Sequence, residues 1–211
     1  MLIITIKQGK EKSLLDRQPW IYASAVERVD GKPFEKTQLG VTALVQSSSA
    51  QFLARAAYNP KSQIRARVWS FDPNEAVDHA LIKRRVKVAV AKRLAAGNAG
   101  QNKAITLVTG EADGLPGLLV EWLGGKSGYL ICQFQAAGVD AWKVAIVQAL
   151  IAETGCGNVY EQGDELIRKG EGLPNVSGTL AGDEPTDDIW QTPSPARAKA
   201  KPRAGEKDKS R

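Results

Sequence analysis

The chain has 211 residues, with 29 Lys and Arg against 23 Asp and Glu, one His, two Cys and a formal net charge of +6. That length can bury a real core and favours two small domains. No apolar run approaches the roughly 20 residues of a membrane span, and the opening MLIITIKQGKEK lacks a leader's apolar core, so the expectation is a cytoplasmic protein with no membrane contact. Cys132 and Cys156 stand apart, without a second thiol or a histidine pair nearby, so no metal site is expected and both read as reduced and buried.

LIITIK reads as a first strand with Leu2, Ile4 and Ile6 on one side, ended by Gln8-Gly9. Trp20, after Pro19, is expected in the core at a strand start. VTALVQSSSAQFLARAAYNP reads as two strands joined by the serines and closed by Asn59-Pro60. In QIRARVWSF, Ile64, Ala66 and Val68 alternate with Arg65, Arg67 and Trp69, because strand side chains point to opposite faces in turn. Several short strands within residues 1–72 predict a small barrel or rolled sheet.

From Pro73 the period changes. Ile82, Val86, Val90 and Leu94, widened by Leu81 and Ala89, form a helical stripe, with Lys83, Arg84, Lys87 and Arg93 over much of the rest and a stop at GNAG, 97–100. Residues 73–102 are thus expected to be a basic linking helix. His79 reads as a surface residue of that helix. A second unit over 103–190 follows: three strands from KAITLVT, GLLVEWLG and GYLICQFQ, a helix from DAWKVAIVQALIAETG capped by Asp140 and stopped by Gly155, and a returning strand NVYEQGD. GDELIRKGEGL reads as a turn whose mixed charges pair locally. Residues 191–211, rich in Pro, Ala, Lys and Arg without large apolar side chains, are expected to be a disordered basic tail. The fold class expected is α+β: barrel, small α/β unit, tail.

Charge is divided along the chain. Residues 1–72 carry 11 basic against 6 acidic residues and 73–102 carry 6 against 2, whereas 103–190 carry 5 against 13. A nucleic acid would be drawn to the first two segments, since positive potential attracts phosphates and releases counterions. Arginine forks suit phosphate and an exposed indole suits an unpaired base, so Arg65, Arg67 and Trp69 form the main candidate RNA face. Arg55 and Lys61, and Lys83, Arg84 and Lys87 on the helix, extend it. Trp69 at a domain interface is the competing reading.

The loop GEADGLPG, 110–117, is tested against nucleotide-binding motifs and fails them. Gly110, Gly114 and Gly117 precede the strand-like LLVEWL rather than a helix, Pro116 removes a donor, and Glu111 and Asp113 repel phosphate. Gly110, Glu111, Asp113, Gly114 and Gly117 read as a structural turn. No catalytic constellation is assigned.

The strings QGKEKSLLDRQPW, QPWIYASAVERVDG, ARAAYNPKSQIRARVWSFDP and LVTGEADGLPGLLVEWLG closely resemble the N-terminal half of the bacterial 23S ribosomal RNA methyltransferases that make 5-methylcytosine with S-adenosylmethionine. The resemblance covers about residues 2–182. It implies an N-terminal PUA domain, a central α/β domain, and 23S rRNA or another structured RNA as partner. It also implies a methyltransferase domain beyond the central one. The family's glycine-containing cofactor loop, proline-proline motif and catalytic cysteine have no match in these residues; neither Cys132 nor Cys156 sits at the nucleophile position. Gln162 and Gly163 stand where the family more commonly has an arginine and a serine. The expectation is an RNA-binding module that holds no cofactor itself and transfers no methyl group alone. The alternative is half of a split or truncated enzyme whose catalytic domain is encoded separately and would be its partner.

Overall fold

The computed structural model describes residues 1–95 and 104–191. The predicted helix stop at 97–100 and, but for Gln191 at the end of the last helix, the basic tail expected at 191–211 lie outside the described residues.

The alternating apolar residues of the first segment make one six-stranded sheet. Its strands are β1 (Leu2–Ile6), β2 (Trp20–Tyr22), β3 (Val26–Asp30), β4 (Thr42–Gln46), β5 (Phe52–Tyr58) and β6 (Ile64–Ser70), in the order β2-β6-β5-β4-β1-β3. Only β1 and β4 are parallel. One face supplies the core: Leu2, Ile4 and Ile6 from β1, Val45 from β4, Ala54 and Ala56 from β5, Ala66 and Val68 from β6. Alanines at 43, 54, 56 and 66 leave room for the sheet to curl over this narrow core. Helix α1 (Lys12–Leu15) closes it with the buried Leu14, and α2 (Pro33–Thr37) sits between β3 and β4. The sheet is a curled half-barrel rather than a closed barrel, because β2 and β3 are its two edges and do not pair.

Helix α3 (His79–Ala95) starts where the Asp78 carboxylate accepts the Leu81 amide at 2.9 Å, which satisfies a first-turn donor. The start falls at His79 rather than near Pro73. Leu81, Ile82, Val86, Ala89 and Val90 are buried, but the stripe ends there: Leu94 is exposed. The second sheet holds β7 (Ile105–Thr109), β8 (Leu118–Leu123), β9 (Tyr129–Phe134), β10 (Asn158–Glu161) and β11 (Gly178–Ala181), in the order β11-β10-β9-β8-β7. β9 and β10 are parallel and therefore need a crossover, supplied by α4 (Ala137–Ala141) and α5 (Lys143–Thr154). Helices α3 and α5 bury Val86, Val90, Ile146 and Leu150 with Val120, Leu130, Phe134 and Val159 of the sheet. The elements α6 (Glu165–Gly170), β11 and α7 (Asp187–Gln191), none foreseen from the sequence, complete the described chain.

Asp140 does not cap the long helix. It lies inside α4, and Trp142 holds the cap position of α5. The chain breaks between the two helices, and Asp140 instead meets Arg168 at 3.0 Å and Lys143 at 3.1 Å.

The two sheets share a core boundary. Ala57 of β5 and Trp69 of β6 point away from the first core and pack into the second. Gly138 of α4 makes this possible, since a Cβ there would fall 2.5 Å from the Ala57 Cβ and 3.2 Å from the Trp69 ring.

Candidate nucleic-acid interface

The structure divides the predicted arginine face. Trp69 is 3% exposed, buried between the sheets, so its ring is not offered to a base as the exposed-indole reading required. Burial follows from the alternation itself. The outer face of β6 is covered over that stretch by α4, and an indole is the largest apolar surface available to seal the contact. Arg67, two residues back, is drawn into the same boundary. It donates to Glu111 at 3.1 Å and to Glu171 at 3.0 Å, with only 15% of its side chain exposed. Glu171 also accepts from Asn59 Nδ2 at 3.0 Å and Ser62 Oγ at 2.9 Å. These bonds clamp the β5–β6 hairpin of the first sheet to the end of α6.

The remaining predicted contacts are more open. Arg65 is half-buried and donates to the carbonyls of Asn59 and Pro60. Arg55 donates to the Pro73 carbonyl at 3.0 Å. Lys61, Lys83, Arg84 and Lys87 are exposed; Arg84 pairs with Glu75, which also holds Arg85 at 3.1 Å. Ser70, then Arg85 and Arg84, hold the Glu75 carboxyl below the usual carboxylate range.

The exposed aromatic residues are elsewhere. Trp20 and Tyr22, flanking the buried Ile21 on the edge strand β2, are 40% and 49% exposed. The core position expected for Trp20 is thus corrected: β2 is only three residues long, and its outer face turns both rings outward. The Trp20 Nε1–H donates to Glu111 Oε1 at 2.9 Å. An alternating pattern of aromatic, Ile, aromatic in WIY was the available signal.

GEADGLPG forms a turn at the same boundary. Gly110–Asp113 make one 3-10 turn, Gly114 has φ +68, and Gly117 leads into β8. The Asp113 carboxylate accepts the Thr109 amide at 2.7 Å, the Thr109 hydroxyl and Arg93 at 2.9 Å each. Arg85 donates to the Gly114 carbonyl at 2.6 Å. The loop's carboxylates and backbone are therefore committed to protein partners, and a strand follows it. These residues do not fit an S-adenosylmethionine site.

GDELIRKGEGL does not pair locally. Asp164 caps α6 by accepting the Ile167 amide at 3.0 Å, but Arg168 is 1% exposed and donates to the carbonyls of Phe134 and Pro174 and to Asp140. Lys143 holds Glu161 beside it at 2.8 Å. A buried guanidinium needs several acceptors, and the nearby Pro174 carbonyl is joined by Phe134 and Asp140 from distant elements. Gly163 lies so close to the Val176 carbonyl, 2.3 Å from an added Cβ, that the serine more usual in the resembling sequences would not fit this backbone.

Cys132 and Cys156 are free and buried, and burial raises both thiols above the ordinary range, which withholds the thiolate a nucleophile needs. His79 is exposed and meets Trp142 edge-on, its ring centroid 5.0 Å away. Among the described residues no group of three or more His, Cys, Asp or Glu could hold a metal ion, and no helix is long and apolar enough to cross a membrane.

Comparison with known proteins accounts for both sheets. Residues 4–71 match the PUA-like domain family. The chain is 37% identical over 186 residues to the ribosomal RNA large subunit methyltransferase I of Aliivibrio fischeri, covering 88% of this chain and 45% of that protein. The protein of the same name from Escherichia coli O9:H4 is 36% identical over 182 residues, covering 86% and 44%. The fold resembles that of a structure described as a SAM-dependent methyltransferase from Streptococcus mutans, with TM-score 0.69, 15% identity and coverage of 89% and 45%. A methyltransferase structure complexed with SAH gives TM-score 0.66 at 14% identity, covering 88% and 44%. The chain therefore carries an N-terminal PUA-like domain and, together with the α/β region after it, matches a part, about 45% of the length, of the bacterial large-subunit ribosomal RNA methyltransferases.

Proposed function

We propose that this chain is an RNA-binding module of a 23S rRNA (cytosine-C5) methyltransferase, acting in the cytoplasm and transferring no methyl group with its own residues. The observation that carries this reading is the 37% identity over 186 residues, which runs through both sheets. In this reading residues 1–72 are the RNA-contacting unit, 73–102 a basic linking segment that carries α3, 103–190 an acidic scaffold and 191–211 a basic tail. The charge division supports it, because phosphate contacts dominate RNA affinity and the acidic scaffold would repel them. Lys61, Lys83 and Lys87 are the phosphate contacts proposed, together with Arg65, whose bonds to the Asn59 and Pro60 carbonyls use its Nη1. Arg55 and Arg84, already engaged, contribute charge at the rim, and Arg67 and Trp69 set the orientation of the two sheets.

Fluorescence anisotropy tests the proposal with the full chain and with residues 1–191, against a large-subunit rRNA fragment and a scrambled control over a salt series. A preference for the ribosomal fragment that survives removal of the tail is expected. Equal, weak binding to both RNAs that vanishes with modest salt would overturn it.

A second reading is favoured by the chain spanning about 45% of its relatives' length. Here the module works with a methyltransferase domain that binds S-adenosylmethionine and is either joined to it or encoded apart. Mixing the chain with the separately expressed remainder of a relative, and measuring complex formation and methyl transfer to rRNA, tests that reading.

A further inference from the structure

We propose that Trp20 and Tyr22 form a stacking site for splayed, unpaired RNA bases at the mouth of the boundary between the two sheets. This rests on the RNA-binding reading above and deepens it. Both rings lie on the outer face of β2, on either side of Ile21, which is 2% exposed and belongs to the core. Phe34, 60% exposed, is a lone ring, whereas Trp20 and Tyr22, 40% and 49% exposed and two residues apart, make a paired aromatic surface.

The Trp20 ring is held in advance. Its N–H is satisfied by Glu111, which Arg67 holds in turn, so a base stacking on the indole need not supply an acceptor or immobilise the ring. The charge of Glu111 is met by Arg67 and does not confront an incoming phosphate unopposed. Positive groups flank the Tyr22 end. The Ala23 amide donates to the Gln63 carbonyl and Tyr22 is in register with Ile64, which sets the half-buried Arg65 beside that end of β2. Lys7 reaches the same turn through its bond to the Ser24 carbonyl at 2.9 Å. Aromatic faces with cations at the rim are the composition that binds single-stranded nucleic acid.

The spacing selects the form of RNA. Two residues along a strand advance about 7 Å, roughly twice the 3.4 Å per nucleotide of a stacked strand. The two rings thus meet bases that have left the stack, as in loops and bulges, and a continuous duplex cannot present them.

The test uses the full chain and a fluorescein-labelled single-stranded segment of large-subunit rRNA, compared with the same sequence in a duplex. Trp20→Leu and Tyr22→Leu should each weaken single-strand binding about fivefold or more, the low end for loss of one base-aromatic stack, and leave duplex binding unchanged. Trp20→Phe, which keeps a ring and loses the bond to Glu111, should retain most of the affinity. Circular dichroism and melting check each variant, and Tyr22→Leu, which breaks no bond across the boundary, keeps the test decisive if Trp20→Leu fails to fold. Equal losses for both RNA forms, or parental affinity in both leucine variants, would overturn the stacking site while leaving RNA binding intact. A parent chain that binds neither RNA removes the RNA-binding reading, and this site with it.

Discussion

Replacing Arg67 with alanine should loosen the joint between the two sheets. The substitution leaves Glu171, 8% exposed in its side chain, without its cation, and Glu111, 27% exposed, without one of its two donors. Removing one partner of a buried ion pair costs about 3–5 kcal/mol because the other charge stays desolvated. The lower end applies, since Asn59 and Ser62 still donate to Glu171, and Trp20 to Glu111. A loss of about 3 kcal/mol lowers the melting temperature of a chain this size by about 6–12 °C, at about 2–4 °C per kcal/mol. Thermal unfolding followed by circular dichroism measures it. Pairing the variant with Glu171→Gln in a double-mutant cycle should show coupling of about 0.5–3 kcal/mol, as expected of residues in direct contact. A variant that melts within about 1 °C of the parent, with no coupling, would refute the view that this cluster holds the sheets together. Any RNA defect of Arg67→Ala then has an indirect route, so Arg65→Ala is the cleaner probe of phosphate contact.

Glu75 gives a pH signature. Its carboxyl is lowered from the ordinary range by Ser70, Arg85 and Arg84, so its stabilising contribution is present above the unfolded-state pKa and is lost as pH falls through the lowered folded value. Glu75→Gln should be less stable than the parent in urea at neutral pH, and the difference should vanish in acid below that value; a pH-independent gap would contradict the assignment. Gly117→Ala should cost about 2–4 kcal/mol in urea unfolding, because φ is +82 and the new Cβ would lie 2.5 Å from the Ala136 Cβ. Gly125→Ala, at φ +67 with nothing within 4 Å, should show only the backbone cost of about 1 kcal/mol. Cys132 and Cys156 should resist iodoacetamide in the native chain at pH 8 and react in denaturant, as read by mass spectrometry, because burial both covers the thiols and raises their pKa.

The periodicity of short segments settled much of the architecture from sequence. Leu2, Ile4 and Ile6, or Ala66 and Val68, alternate because a strand between core and outside must, and Ile82, Val86 and Val90 recur at four because a helix lying on a sheet must. The turn character of GEADGLPG was equally legible, since a glycine loop that runs into a strand and carries two carboxylates cannot cradle a phosphate. What lay outside that reach was the content of each outer face. Arg67 and Trp69 share one side of β6, yet whether that side meets water or α4 depends on residues some 70 positions away, and Gly138 decides it by letting α4 approach Trp69. Trp20, expected in the core, is exposed, Trp69 takes the domain-interface place that was its competing reading, and Glu171 and Arg168 find partners more than 25 residues distant as well as near their own turn. Alternation is a local property of the backbone and is written in neighbouring residues. Burial of an outer face, and the pairing of a charge within it, depend on which distant surface arrives there, and only the tertiary structure brings the two together.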